Sequence, residues 1–388
     1  MNKMTKRAMA AVLCGALALT ACSCSNTAGT ALTIDGTEIP AGVYICYQMD
    51  ALGQAQTVLT EEQPDLDMSA EDFDIKAHTI EGVKAEEWIK NKTVELCRNY
   101  VAANKAFDEY GLSLEAHEKD EIKNTVNAAW EEENIYAQYI YGYDTIGEYY
   151  ESLGVGKSSY EKIQTLFYKQ QAVFEHLYGE GGELEVPAEE INAKILSDYA
   201  LVLSFEVDPA YGKAQDYVDM LNNGTSFTAA KQAYDEAEAV AEAEEAKKKA
   251  EEAGEEYDGI LPEDVVVAEV EEAALKDIVN VNDTTPSESY VKDIFAMTNG
   301  ENKLITVSEE TTAADGTTST AISYYVVKKL DISADAEVME QYSETVLYDL
   351  KSGELEETFK TKGAAYSVTE NAAAIKLYTI DKLKKQQA

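Results

Sequence analysis

The sequence predicts an α+β protein, predominantly helical and divided into two domains. Three observations carry that expectation. Apolar residues recur at three, four and seven over long stretches, most clearly at Ile89, Leu96, Tyr100, Ala103, Phe107 and Tyr110, the spacing of one helix face. Strand-like runs are few: a hairpin at Ala31 to Ile39, three runs between Tyr199 and Lys328, and Ala374 to Ile380. A chain of 388 residues also exceeds what a single core ordinarily organises.

Lys3, Lys6 and Arg7 precede an apolar run from Ala8 to Ala21, which is signal-peptide length and too short for a membrane span. Residues 1–21 are therefore expected to be removed. The run ends in Leu19-Thr20-Ala21-Cys22, which resembles the lipobox of bacterial lipoproteins and implies a lipid on Cys22. Each buried methylene of such a chain contributes about 0.8 kcal/mol, so acyl chains hold a protein on a bilayer without a spanning helix. The expectation is an extracytoplasmic protein anchored in the cell membrane, with residues 22–30 as a flexible tether.

Ala31 to Ile39 alternates around Asp35-Gly36, a hairpin signal, and Pro40 opens a helix carrying Val43, Tyr44, Tyr47 and Ala51. Gln56 to Thr79 is acidic and reads as loop and turns. The helix containing Ile89 to Tyr110 stops at Gly111, and Glu115 to Trp130 repeats the pattern through Ile122, Val126 and Ala129. Ser158-Ser159-Tyr160-Glu161 offers a capping box to a helix with Ile163, Leu166, Phe167, Phe174 and Leu177 on its apolar side. Nine tyrosines fall in and between these segments: Tyr136, Tyr139, Tyr141, Tyr143, Tyr149, Tyr150, Tyr160, Tyr168 and Tyr178.

Composition changes after Gly181-Gly182, placing a boundary near 183–198 between a region 31–187 and a second domain 190–332. A short helix after Pro187 runs into a strand, Tyr199 to Val207. Ala214 to Leu221 is helical, Asn222-Asn223-Gly224 ends it, and Ser226 starts another helix. That helix continues into an Ala, Glu and Lys insertion at 235–258, expected to project in solvent with Glu244–Lys248 and Glu245–Lys249 pairs along it. Glu269 to Ile278 reads as helix, as does Pro286 to Met297. Leu304 to Val307 and Ile322 to Lys328 read as strands joined by a loop, Ser308 to Thr320. The tail 333–388 gives a helix from Val338 to Phe359 and a strand from Ala374 to Ile380.

The formal charge is −41, with 73 acidic residues, and loss of Lys3, Lys6 and Arg7 makes it still more negative. Nucleic acid and anionic headgroups repel such a surface, which leaves cationic or uncharged partners. Cys46 and Cys97 sit among apolar residues at helical spacing and are expected as free thiols; with Cys24 they form neither a disulfide framework nor a zinc site. No nucleophile elbow, phosphate-binding loop, dinucleotide fingerprint or His-Glu-x-x-His occurs, so no catalytic residue, metal or cofactor is assigned.

The order of these parts resembles the SurA and PrsA family of exported foldases, over most of the chain beyond the leader. The most specific stretch is Ala214 to Phe227, similar to the parvulin pattern of helix, glycine turn and phenylalanine opening the next helix. Phe295 to Gly300 and Ser323 to Lys328 resemble the late helix-turn and the closing strand. The resemblance implies a helical chaperone domain built from 31–187 and 333–388, with a parvulin-like domain of small antiparallel sheet inserted at 190–332. Active parvulins carry a histidine on the first strand and another on the last. Here the first strand reads Leu201-Val202-Leu203-Ser204-Phe205, the last has Tyr325 in the histidine position, and His78, His117 and His176 all precede the domain.

The expected function is a membrane-anchored foldase or chaperone that binds unfolded exported polypeptides, with a weak or inactive parvulin-like domain. Phe205, Phe295 and Tyr325 are the candidate lining of its degenerate pocket. Tyr136, Tyr139, Tyr143, Tyr149 and Tyr150 are the candidate polypeptide-binding aromatics, because tyrosine offers broad apolar contact with a polar tip. The alternatives are an active peptidyl-prolyl cis-trans isomerase and a solute-binding lipoprotein of a transporter.

Overall fold

The computed structural model describes residues 29–70, 73–312 and 318–384. The leader and Cys22 lie outside the described residues. The described residues form two compact units, one made of those up to Glu185 together with those from Lys351 onward, the other of those within Val186–Leu350.

In the first unit β1 (Thr30–Ile34) and β2 (Thr37–Pro40) form an antiparallel hairpin in which Asp35 and Gly36 both take positive φ. Pro40 then caps α1 (Ala41–Glu62), which extends well into the segment expected as loop. A two-strand ribbon, β3 (Thr79–Ile80) and β4 (Val83–Lys84), leads into α2 (Ala85–Glu109), whose Ile89, Cys97, Val101 and Phe107 are buried at helical spacing. After α3 (Ala116–Glu131) and α4 (Ile146–Leu153) comes α5 (Lys157–Tyr178). Gly156 caps α5, so the expected capping box at Ser158 is not used: Ser159 is turned into the core against Gly42, and Phe167 faces solvent.

The second unit begins with α6 (Ala188–Asp198) and β5 (Tyr199–Val207). The turn after α7 (Ala214–Asn222) uses Gly224 at φ +94°, and the Ser226 hydroxyl accepts from Ala229 N–H to cap α8 (Phe227–Ala253). Only the start of α8 is buried, at Phe227, Ala230 and Tyr234. Lys249 pairs with Glu245 at 2.6 Å, whereas Lys248 stands nearest Glu252. The helix expected at Glu269–Ile278 is instead a single 3₁₀ turn followed by strand β6 (Lys276–Asn280), because β5 takes this segment as an antiparallel partner.

Helix α9 (Glu288–Ala296) precedes β7 (Asn302–Thr312) and β8 (Thr318–Lys329), both longer than expected because the ladder continues through the threonine-rich ends. The sheet order is β6-β5-β8-β7, antiparallel throughout. One face packs on α7 and α8, through Phe205, Tyr217, Phe227, Tyr234 and Val326; the other packs on α9, through Val202, Tyr290, Ile294 and Val327.

Helix α10 (Ala336–Ala364) crosses the boundary between the units in sequence. Its Val338, Tyr342 and Val346, expected with the tail, pack in the second unit with Ile195 and Leu201. Beyond it, β9 (Val368–Glu370) pairs antiparallel with β1 and completes a three-stranded sheet of order β2-β1-β9. The strand expected at Ala374–Ile380 is replaced by two short helices, α11 (Ala372–Ile375) and α12 (Ile380–Lys384). Ala374, Tyr378, Ile380 and Leu383 enter the core of the first unit, and Gln48 Nε2 donates to the buried Tyr378 carbonyl at 3.1 Å. Cys46 and Cys97 are free. Among the described residues, no helix is long and apolar enough to cross a membrane.

Candidate functional site

The segment between α3 and α4 folds as a closed turn built by its own backbone. Asn134 N–H donates to the Asp144 carbonyl at 2.9 Å, and Asn134 Oδ1 accepts from Ala137 N–H at 3.0 Å. The intervening residues Ala137–Tyr141 form one π-helical turn, ended by Gly142 at φ +72°. Widening the turn in this way shifts the side chains off the usual helical positions. Ala137 is buried and Tyr141 is turned towards the core, while Ile135, Tyr136, Tyr139 and Ile140 are 71%, 73%, 90% and 61% exposed. Four large side chains in six residues thus face solvent together.

The turn stands on a run of rings. Tyr141 stacks on Tyr149 at 3.9 Å and 10°, Tyr143 and Tyr150 lie 6.0 and 5.7 Å from Tyr149, and Tyr160 links Tyr150 to Trp130 at 5.1 and 5.3 Å. Trp130 fits only because Gly147 lacks a side chain, a Cβ there falling 2.6 Å from the indole. Its Nε1 donates to Glu151 at 2.8 Å. Burial pushes the Tyr149 hydroxyl up to about 12 and raises that of Tyr150 further. These hydroxyls stay neutral and the rings behave as packing.

The five candidate tyrosines therefore divide. Tyr136 and Tyr139 are exposed, Tyr143 and Tyr150 are half-buried supports, and Tyr149 is buried beneath them. Ile135 and Ile140 belong to the exposed surface and were not among the sequence candidates. Their apolar character next to Tyr136 and Tyr139 is the signal that marks them, but helical periodicity would have assigned such residues to a core.

The second candidate set is brought together only in part, Phe295 and Tyr325 on one face of the sheet and Phe205 on the other. Phe205 pairs across the ladder with Val326 and lies on the α7 and α8 face, in edge contact with Phe227 at 5.4 Å. Tyr325 pairs with Glu206 and lies on the opposite face, 5.0 Å from Tyr290, with Phe295 packed on that same side. Strand alternation fixes this separation, since adjacent residues 325 and 326 point to opposite faces. His78, His117 and His176 all lie in the first unit; His176 rests on Tyr110 at 4.7 Å and His117 on the neighbouring Glu115.

No family model matches the chain, and no curated protein matches it. A crystal structure of a foldase protein, PrsA, from Lactococcus lactis is similar at 14% identity and a TM-score of 0.29, over 91% of this chain and all of that one.

Proposed function

We propose that this protein is an extracytoplasmic chaperone of foldase type, anchored to the cell membrane through a lipid on Cys22, that binds unfolded exported polypeptides. The observation that carries the reading is the exposed group Ile135, Tyr136, Tyr139 and Ile140, held on a turn closed by its own hydrogen bonds and supported by stacked rings. An exposed apolar patch on a rigid base marks a contact surface. Tyrosine and isoleucine accept varied apolar segments without demanding one sequence. The net charge of −41 favours cationic or uncharged segments and keeps the body apart from anionic headgroups.

The second unit contributes shape or a further contact in this reading, with weak or no isomerase activity, because its three aromatic candidates sit on two faces of the sheet. A solute-binding lipoprotein calls for α/β lobes with parallel strands, whereas all strand pairings among the described residues are antiparallel.

The test is suppression of aggregation of a chemically unfolded secreted protein. The protein should delay light scattering at near-stoichiometric ratio, and Tyr139→Ser with Ile140→Ser should lose that effect at unchanged melting temperature. Equal protection by wild type and the double variant removes the turn from the reading. Mass spectrometry of the N-terminal peptide, with Cys22→Ser as control, tests the lipid independently.

A further inference from the structure

Arginine is almost absent from this chain: Arg7 and Arg98 are the two in 388 residues, every other strong cation being lysine. Arg98 lies on α2 and lines a cavity of about 500 Å³ in the first unit, with Asn99, Lys360 on α10, and Val368 and Glu370 of β9. The helices meet closely beside it, since a Cβ on Gly363 would stand 3.1 Å from the Arg98 main chain. Arg98 Nε and Asn99 Oδ1 are buried and have no hydrogen-bond partner. Buried polar atoms ordinarily have partners, so an orphaned donor and an orphaned acceptor on adjacent lining residues mark this cavity as a place where the polar groups of the first unit are incompletely satisfied.

The charges say which kind of group would satisfy them. The lining acids already hold lysines, Glu370 with Lys90 at 2.9 Å and Glu95 with Lys92 at 2.9 Å, and Lys360 pairs with Glu357 at 3.9 Å, which leaves Arg98 as the lining cation without an ion pair among the described residues. The uncommitted charge of this cavity is thus positive, in a chain whose total is strongly negative. A guanidinium matches a carboxylate through paired, parallel hydrogen bonds, which lysine cannot reproduce.

The backbone adds a direction. Among the described residues β9 is an outer strand of its sheet. Asp35 N–H donates to Ser367 and Asn371 N–H donates to Ala31, so alternate residues face β1 and the main chain of Val368 and Glu370 turns away from it. An open edge of this kind accepts an extended segment. The two residues with outward main chain are the two that line the cavity.

We propose that this cavity holds the C-terminal end of an extended polypeptide, its α-carboxylate on Arg98 and its last residues alongside β9. The proposal rests on the polypeptide-binding reading above but uses a different surface from the exposed turn. A volume of this size takes a few residues, not a folded domain.

The experiment is fluorescence polarisation of the purified protein with one labelled hexapeptide of apolar and uncharged residues, as the free acid and as the C-terminal amide. The acid should bind about tenfold tighter than the amide. Arg98→Gln should abolish that preference and Arg98→Lys should restore only part of it, each at unchanged melting temperature. Should Arg98→Gln fail to fold, Lys360→Gln gives the second reading, a several-fold weaker preference for the acid. Equal affinity for acid and amide overturns the proposal, as does a preference that survives in Arg98→Gln, or full competition by acetate alone. Acid preference without suppression of aggregation keeps this site and removes the chaperone reading. Suppression without acid preference does the reverse.

Discussion

Ser159 of α5 occupies the space that a side chain on Gly42 of α1 would need: a Cβ built on Gly42 falls 2.5 Å from Ser159 Oγ and 2.6 Å from its Cβ. Gly42 is therefore required for close approach, not for backbone freedom. Gly53, in the same helix, has open space around its missing Cβ. Gly42→Ala should cost about 1–3 kcal/mol by overpacking. Gly53→Ala should gain up to about 1 kcal/mol from helix propensity and a less flexible unfolded chain. Urea denaturation reads both, and opposite signs from two identical substitutions in one helix are the expected result.

Buried and half-buried thiols and phenols in the first unit make its stability sensitive to base. Desolvation lifts the Cys46 thiol from 9.0 to about 12 and raises Cys97, Tyr44 and Tyr150 further still. The folded state then keeps protons that the unfolded chain releases, so ∂ΔG/∂pH of unfolding is negative once the unfolded groups begin to titrate. Stability should be level up to about pH 9 and fall steadily as pH rises through about 12. A melting-temperature series across that range checks this. Cys46→Ser with Cys97→Ala should delay the onset by about one pH unit, leaving the tyrosine part.

Lys329 ends β8 and caps α9 from outside it, its Nζ donating to Met297 O at 2.9 Å and Ile294 O at 3.1 Å, with the Phe295 ring 5.7 Å away. Burial lowers its pKa, yet the carbonyls it meets lie at the C-terminal end of a helix, where a cation is favoured, and Ile294 O accepts from Met297 N–H as well. Lys329→Met preserves the stem and removes the charge-assisted bonds. The second unit should lose about 1.5–3 kcal/mol, measured by denaturant unfolding.

The parts of the fold legible in the sequence are those where local pattern and burial agree. β5 is buried almost throughout, and α2 buries Ile89, Cys97, Val101 and Phe107 on one stripe, so both could be read directly. β6 could not, because Val279 is its one fully buried residue and the acidic, alanine-rich stretch before it favours helix locally. The ribbon ends of β7 and β8 are threonine-rich with no alternation to find. At the C-terminus, β9 buries none of its three residues fully, and its strand state comes from pairing with β1. In the candidate site, Tyr136 and Tyr149 look alike in sequence; one stands exposed at the entry to the π turn, and the other is buried under the stack with Tyr141. The scarcity of arginine is visible in composition, but only the return of β9 and α10 to α2 surrounds Arg98 with a cavity.

Isomerase activity depends on which side chains share one face of the sheet. Turnover needs one pocket that favours the twisted amide over the planar one, against a barrier of about 18–20 kcal/mol. Phe205 and Tyr325 are on opposite faces of the β6-β5-β8-β7 sheet, so no rearrangement short of a register shift brings them to one substrate. Tyr290, whose hydroxyl burial lifts to about 12, remains neutral and fills the space beside Tyr325. The purified protein should therefore leave the cis-trans rate of a proline tetrapeptide at its uncatalysed value of tens of seconds. An acceleration lost in Tyr290→Phe or Tyr325→Phe but kept in Phe205→Leu would instead place an active pocket on the α9 face.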